Sequence, residues 1–160
     1  MTKKIKMALA LIIIGIGAIG AWFVLGNQLQ TAEEGFAIFL LDTNELVISD
    51  RDIMSYDKTS HEIKLNQDGM ARMRASDLYG KLFLIKLGNR EIYDGSFSSE
   101  VSSIPSSGVT ILDVLAVQYG LTDVLRIQAG YPSSEFFKGA DPRNNREILN
   151  YFRELGKLIQ

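Results

Sequence analysis

One histidine, no cysteine and nineteen carboxylates bound the chemistry open to this 160-residue chain. Without cysteine there is no disulfide, thiol nucleophile, Cys-ligated zinc, iron–sulfur cluster or lipidated N-terminal cysteine. His61 is the one side chain suited to proton transfer or pH sensing near neutrality. It stands beside Glu62 in a stretch that reads as a strand, where neighbours point to opposite faces. No serine is placed next to it, so an ordinary strand histidine is the simpler reading. Asp42, Glu45, Asp50, Asp52 and Asp57 crowd one stretch. The D-x-[DN]-x-[DN]-G pattern of a calcium loop is absent from it. Caps and turns account for each of these acids, although a pair at the right separation would suit glycoside hydrolysis. These residues predict neither a metal nor a cofactor.

The balance of 17 Lys and Arg against 19 Asp and Glu gives a formal charge of −2. That argues against a basic nucleic-acid binder. With 46% hydrophobic and 22% charged residues, the chain is not of the disordered class.

The longest unbroken signal is Met7 to Leu25, nineteen residues without a charge. As a helix it would measure about 28 Å, close to the hydrocarbon thickness of a bilayer. Lys3, Lys4 and Lys6 precede it, no basic residue follows until Arg51, and Trp22 and Phe23 lie near its outer end. The positive-inside bias therefore predicts a cell-membrane protein, with the N-terminus cytoplasmic and the chain beyond residue 27 extracytoplasmic. A cleaved signal peptide is the rival. It fits less well because the run exceeds the usual apolar core and Gln30-Thr31-Ala32 is a poor small-x-small site. Gly15 to Gly20 matches G-x-G-x-x-G, yet no amphipathic helix follows, so a dinucleotide site is not expected. Gly17 and Ala21 form a small-xxx-small pair that would permit weak helix pairing. Three of the 17 basic residues precede the run, which leaves 14 against 19 acids outside, a net −5. That disfavours anionic lipid or nucleic acid as a partner for the exported part.

The expected organisation is a basic tip and anchor over 1–27, a polar linker over 28–34 and an α+β domain over 35–160. Gly35 to Leu41 reads as a buried strand, and Ser49 as the cap of a short turn through Asp52. Ile53–Tyr56 and His61–Leu65 flank Asp57-Lys58-Thr59-Ser60 as a hairpin, with His61, Ile63 and Leu65 on one face. Asn66 caps a helix to about Leu78, Leu65 can staple against Met70, and Gly80 ends it. Lys81–Leu87 and Glu91–Phe97 form a second hairpin around Gly88-Asn89-Arg90. Further strands are expected at Val109–Leu112 and Val124–Ala129. Asp141-Pro142 starts a last helix, whose Ile148, Phe152, Leu155 and Ile159 keep helical spacing. This order predicts a mixed sheet with helices on one face.

Two stretches could contact a partner. Ser96 to Ser107 holds seven serines, and there Ile104 is the residue able to anchor a contact. Gly130 to Arg143 places Tyr131, Phe136, Phe137 and Arg143 in a loop fixed by glycine and proline. Aromatic and arginine side chains supply much of the contact energy at recognition surfaces. The competing reading has Phe136 and Phe137 packing the last helix onto the sheet while Arg143 pairs with an acid.

The run from Ser49 to Ile111 resembles the first extracytoplasmic head region of SecD-type protein-export subunits. The resemblance is carried by Leu46-Val47-Ile48-Ser49-Asp50-Arg51-Asp52-Ile53, then Ile63-Lys64-Leu65-Asn66-Gln67-Asp68-Gly69-Met70-Ala71. It continues through Gly80-Lys81-Leu82-Phe83-Leu84-Ile85-Lys86-Leu87-Gly88-Asn89-Arg90-Glu91-Ile92-Tyr93 to Ile104 and Gly108-Val109-Thr110-Ile111. It implies a ferredoxin-like, split βαβ head and contact with membrane or exported proteins. The family has several membrane helices where this chain has one run, and its proline after the hairpin strand is replaced around Asp94-Gly95. The run holds no acid, so proton-driven work is not carried over. Gly130 to Leu158 also resembles the C-terminal part of small anchored proteins of unknown function. The expectation is a membrane-tethered module that binds protein or peptide. A tethered hydrolase using acidic or serine residues, or a structural subunit of a membrane complex, are the alternatives.

Overall fold

The computed structural model describes residues 35–159. The anchor expected over residues 7–25, its basic tip and the linker over 28–34 lie outside them. Among the described residues, no helix is long and apolar enough to cross a membrane.

The described residues are α+β, with one mixed nine-stranded sheet and three α-helices. The strands are β1 (Phe36–Leu40), β2 (Leu46–Ser49), β3 (Ile53–Asp57), β4 (Glu62–Leu65) and β5 (Leu82–Leu87). They continue as β6 (Arg90–Phe97), β7 (Ser106–Leu112), β8 (Val124–Tyr131) and β9 (Leu158–Ile159). The helices are α1 (Gln67–Ala75), α2 (Val114–Gln118) and α3 (Arg146–Glu154). Both expected hairpins form, β3–β4 and β5–β6. Asn66 caps α1 by accepting from the Gly69 N–H at 2.9 Å.

Three expectations need correction. Helix α1 stops at Ala75, with Ser76 already extended, and Leu78 is buried beyond the helix end. Asp141-Pro142 opens only the 3-10 turn Pro142–Asn144. The last helix starts at Arg146, because Asn145 is the better cap: its Oδ1 accepts from the N–H groups of Glu147 and Ile148. That helix ends at Glu154, so Leu155 and Ile159 are exposed and do not continue its buried stripe. His61 precedes β4 rather than lying in it. Its φ of 56° closes the turn, yet its side chain is buried with Ile63 and Leu65, on the expected face.

The sheet order is β2-β1-β5-β6-β7-β8-β4-β3-β9. The pairs β6–β7 and β3–β9 are parallel, and the remaining pairs are antiparallel. Strands β2 and β3 stand seven places apart, which in a flat sheet is roughly 33 Å. In sequence only the 3-10 turn Asp50–Asp52 separates them, and an extended link from Ser49 to Ile53 reaches at most about 14 Å. The sheet therefore curls until its ends approach. Phe152 of α3 fills that seam, with its ring 4.9 Å from Phe36 of β1 and 5.3 Å from Tyr56 of β3. All three belong to one buried cluster that draws on β1 through β8.

The seam turn is tied from both sides. Buried Asp52 accepts from Ser49 N–H at 2.7 Å and from its hydroxyl at 2.9 Å, and Arg72 of α1 reaches it at 3.4 Å. Asn66 donates to the Arg51 carbonyl, Tyr151 of α3 donates to Asp50, and Lys157 donates to the Asp50 carbonyl. A Cβ on Gly69 would lie 2.9 Å from Asp52 Cβ, so α1 can press this closely only through glycine.

Inside the curl, Gly95 makes room for Phe83. A methyl at Gly95 would meet the Phe83 ring at 2.5 Å and strike the Val109 carbonyl. Gly95→Ala should therefore lower stability by about 2–3 kcal/mol in urea titration. Thr110 is fully buried on β7, and its hydroxyl finds no partner among the described residues. Thr110→Val keeps the shape and removes the stranded hydroxyl, so it should raise stability by about 1 kcal/mol in the same assay.

Candidate functional site

Strands β6 and β7 run parallel, so the chain leaving Phe97 must travel back before it enters Ser106. Residues 98–105 make that crossover without a helix. The Ser98 N–H donates to Ile111 O at 2.8 Å, and the Ser102 N–H to Ser99 O at 3.0 Å. Ser99 is buried beneath the loop. The crossover is pinned midway by Tyr131 at the end of β8, whose hydroxyl lies 2.6 Å from the Glu100 carbonyl and 2.9 Å from the Ser102 carbonyl. Arg126 pairs with both Glu100 and Asp113, the latter at 3.1 Å, which adds a charged tie on the same loop.

What this pinned loop presents is apolar. Val101 is 86% exposed and Ile104 is 70% exposed. Beyond Tyr131, the 3-10 turn Ser134–Phe136 leaves Phe136 45% exposed, while Phe137 packs against the core. The Lys138 N–H donates to the Ser107 carbonyl, so the segment after Phe137 runs beside the start of β7. A second apolar spot lies at the β1–β5 end. There Leu41, Asp42, Gly80, Lys81 and Leu82 line a depression of about 370 Å³.

The five residues singled out from sequence therefore divide. Ile104 and Phe136 face solvent. Phe137 is part of the packing. Tyr131 is 7% exposed and occupied by the crossover carbonyls. Arg143 is spent on Asp141, with contacts down to 2.6 Å, and on the Ile127 carbonyl at 3.1 Å. Tyr131 positions the crossover loop and Arg143 ties its own segment to β8, so replacing both would disturb the fold as well. Val101 was missed because serine composition dominates its surroundings; an apolar residue three positions before Ile104 was the available signal.

Proton chemistry has a buried counterpart. The hydroxyl of Tyr56 lies 2.9 Å from His61 Nδ1 and 3.4 Å from the Arg143 carbonyl. Burial pushes the Tyr56 hydroxyl above its usual range. Burial, and then the Arg143 charge, hold the His61 imidazole below its usual value. Tyr56 and His61 are 2% and 6% exposed, so the pair is buried in the fold. The acids near it in sequence have local work. Asp57 accepts from Thr59 and Ser60 N–H, which lowers its carboxyl pKa, and Asp52 closes the seam turn. Among the described residues, no three His, Asp or Glu side chains gather as a metal site would require.

Tyr131→Phe removes the one hydroxyl proton that the Glu100 and Ser102 carbonyls share. We expect a loss of about 1–2 kcal/mol, and faster amide hydrogen exchange confined to residues 98–105.

No family model, curated protein or solved structure matches this chain.

Proposed function

We propose that residues 35–160 form an extracytoplasmic module that binds protein or peptide through the crossover loop, held at the cell membrane by the apolar run over 7–25. The observation that carries this reading is a loop fixed by Tyr131 that still exposes Val101 and Ile104. A pinned loop loses little further entropy on binding, so its exposed apolar side chains contribute fully to contact. Phe136 is a further exposed apolar residue, on the segment that the Lys138–Ser107 bond sets beside the start of β7. The charge of the exported part, net −5, turns the module away from anionic lipid and nucleic acid. Tethering would raise the local concentration of the surface for partners in or beside the membrane.

We read the run from Ser49 to Ile111 as the part related to a SecD-type, ferredoxin-like head. The succession of hairpin β3–β4, helix α1 and hairpin β5–β6 supports it. In this chain, β6, β7 and β8 stand between β5 and β4, whereas a split βαβ unit places one strand there. The relation to protein export rests on that succession and on the sequence resemblance.

A photoreactive residue at Ile104 of the full chain, in intact membranes, should capture a discrete protein, whereas one at Lys64 should not. Adding Val101→Asp should reduce capture at least tenfold while changing stability by no more than about 0.5 kcal/mol, as expected for a surface site. Capture unchanged by Val101→Asp would overturn the assignment of the surface. External protease that leaves the domain intact in sealed cells but digests it in opened ones would overturn the topology.

A further inference from the structure

Strand β6 is fully paired on one side only. β5 accompanies it from Arg90 to Ser96, whereas β7 pairs with it only from Gly95 to Phe97. The alternation of main-chain groups shows which bond is missing. The Ser98 N–H bonds to the Ile111 carbonyl on β7, and the Phe97 N–H bonds to the Lys81 carbonyl on the β5 side. Two and four residues before Ser98, the N–H groups of Ser96 and Asp94 therefore also face β7. The next rung would run from the Asp94 N–H to the Ser107 carbonyl. It is not made. The pairing ends at Gly95 and Val109, and the Ser107 carbonyl accepts from the Lys138 N–H at 3.0 Å instead. A bulge in β7 between Ser106 and Val109 bends the start of that strand away.

The half of β6 before Gly95 is thus an open sheet edge. Arg90, Glu91 and Asp94 are exposed along it, while Ile92 and Tyr93 pack against the core. That packing and the β5 ladder hold the edge extended in advance of any partner. Among the described residues, no hydrogen bond reaches the Asp94 N–H and no cation pairs with its carboxylate. The neighbouring charges are taken, Arg90 by Glu147 and Glu91 by Lys86 at 4.0 Å. An edge with an unused N–H and a fixed extended backbone is a template for strand addition. The unpaired acid selects what is added, because a basic side chain opposite it is favourable. It also selects against a second copy of this chain. Two β6 edges joined antiparallel about a two-fold axis would set Glu91 of one across from Asp94 of the other, and like charges placed opposite destabilise.

We propose that the open half of β6 takes an added strand, an extended peptide segment of a partner with a basic side chain opposite Asp94. The Asp94 N–H donates to a carbonyl of the incoming strand, and the Asp94 carboxylate meets its lysine or arginine. The field of the domain acts in the same direction, since the chain after the apolar run carries 14 basic against 19 acidic residues. This edge uses main-chain groups of β6 and needs neither Val101 nor Ile104, so it stands apart from the crossover surface.

The probe is a synthetic peptide of alternating valine and lysine, about eight residues long and capped at both ends. It is added to the full chain in detergent, and amide exchange is read residue by residue by NMR. The peptide should slow exchange of the Asp94 amide at least tenfold and leave the Tyr93 amide, which faces β5, unchanged. A valine–glutamate counterpart should leave Asp94 unprotected. In Asp94→Lys the preference should invert, with affinity for the lysine peptide at least tenfold lower and protection of residue 94 by the glutamate peptide. A lysine peptide N-methylated throughout keeps the charge but cannot lie against a sheet edge, and it should give no protection. Four results would each overturn the added strand: no protection of Asp94 by the lysine peptide, equal protection by its N-methylated form, unchanged affinity in Asp94→Lys, or an Asp94 amide that self-association already protects in concentrated protein without peptide. Protection confined to residues 98–105 would overturn it as well, while leaving the crossover surface in place. The comparison of the peptides on wild-type protein decides the matter even if the variant misfolds.

Discussion

Three residues between Ser49 and Ile53 constrain this domain more than any other feature. They join strands that are first and eighth in the sheet, and so they force the sheet to close on itself. Closure gives the chain a single core from strands that would otherwise need a second layer. It also sets a cost, because a closing turn buries polar backbone at the seam. Asp52, Asn66 and Lys157 meet that backbone, and Tyr151 of α3 donates to the Asp50 carboxylate. The aromatic contact of Phe152 with Phe36 and Tyr56 then fills what the strands leave open.

The same economy appears away from the seam. Where the parallel step from β6 to β7 requires a return path, an eight-residue loop takes the place of a crossover helix. The loop meets the Ser99 carbonyl with its own Ser102 N–H, while the Tyr131 hydroxyl reaches the Glu100 and Ser102 carbonyls from β8. The segment between β8 and α3 is fastened similarly, by Arg143 to the Ile127 carbonyl. In both places one long side chain, Tyr131 at the end of β8 and Arg143 in the 3-10 turn Pro142–Asn144, ties to the sheet a stretch that has no ladder of its own. Rigidity around the exposed Val101 and Ile104 is therefore borrowed from the sheet.

Much of the local structure was legible in the residues. The hairpins were marked by Asp57-Lys58-Thr59-Ser60 and Gly88-Asn89-Arg90, and α1 by Asn66 with Met70 and Met73 behind it. What escaped was set by distant contacts. Strand β2 is four residues long and pairs only through β1, and β9 is two residues whose place depends on β3. Helix α2 has five residues and no favourable cap. Asp113 precedes it in a left-handed conformation, and tertiary packing of Val114 and Val117 holds it. The aromatic and arginine residues of the candidate surface were noticed for their type. Type alone does not separate a Tyr131 turned inward to two carbonyls from a Phe136 left in water.

The contact between Phe36 and Phe152 has a consequence for how the molecule comes into being. Its two members lie 116 positions apart, so the curled sheet stays unsealed until Phe152 has been made. Local hairpins can form early as the polypeptide emerges. The first strand must wait, one side uncovered, for the final helix to arrive. Chaperoning during synthesis would matter most in that interval, when an apolar first strand has no lid and the helix that provides one is still inside the ribosome.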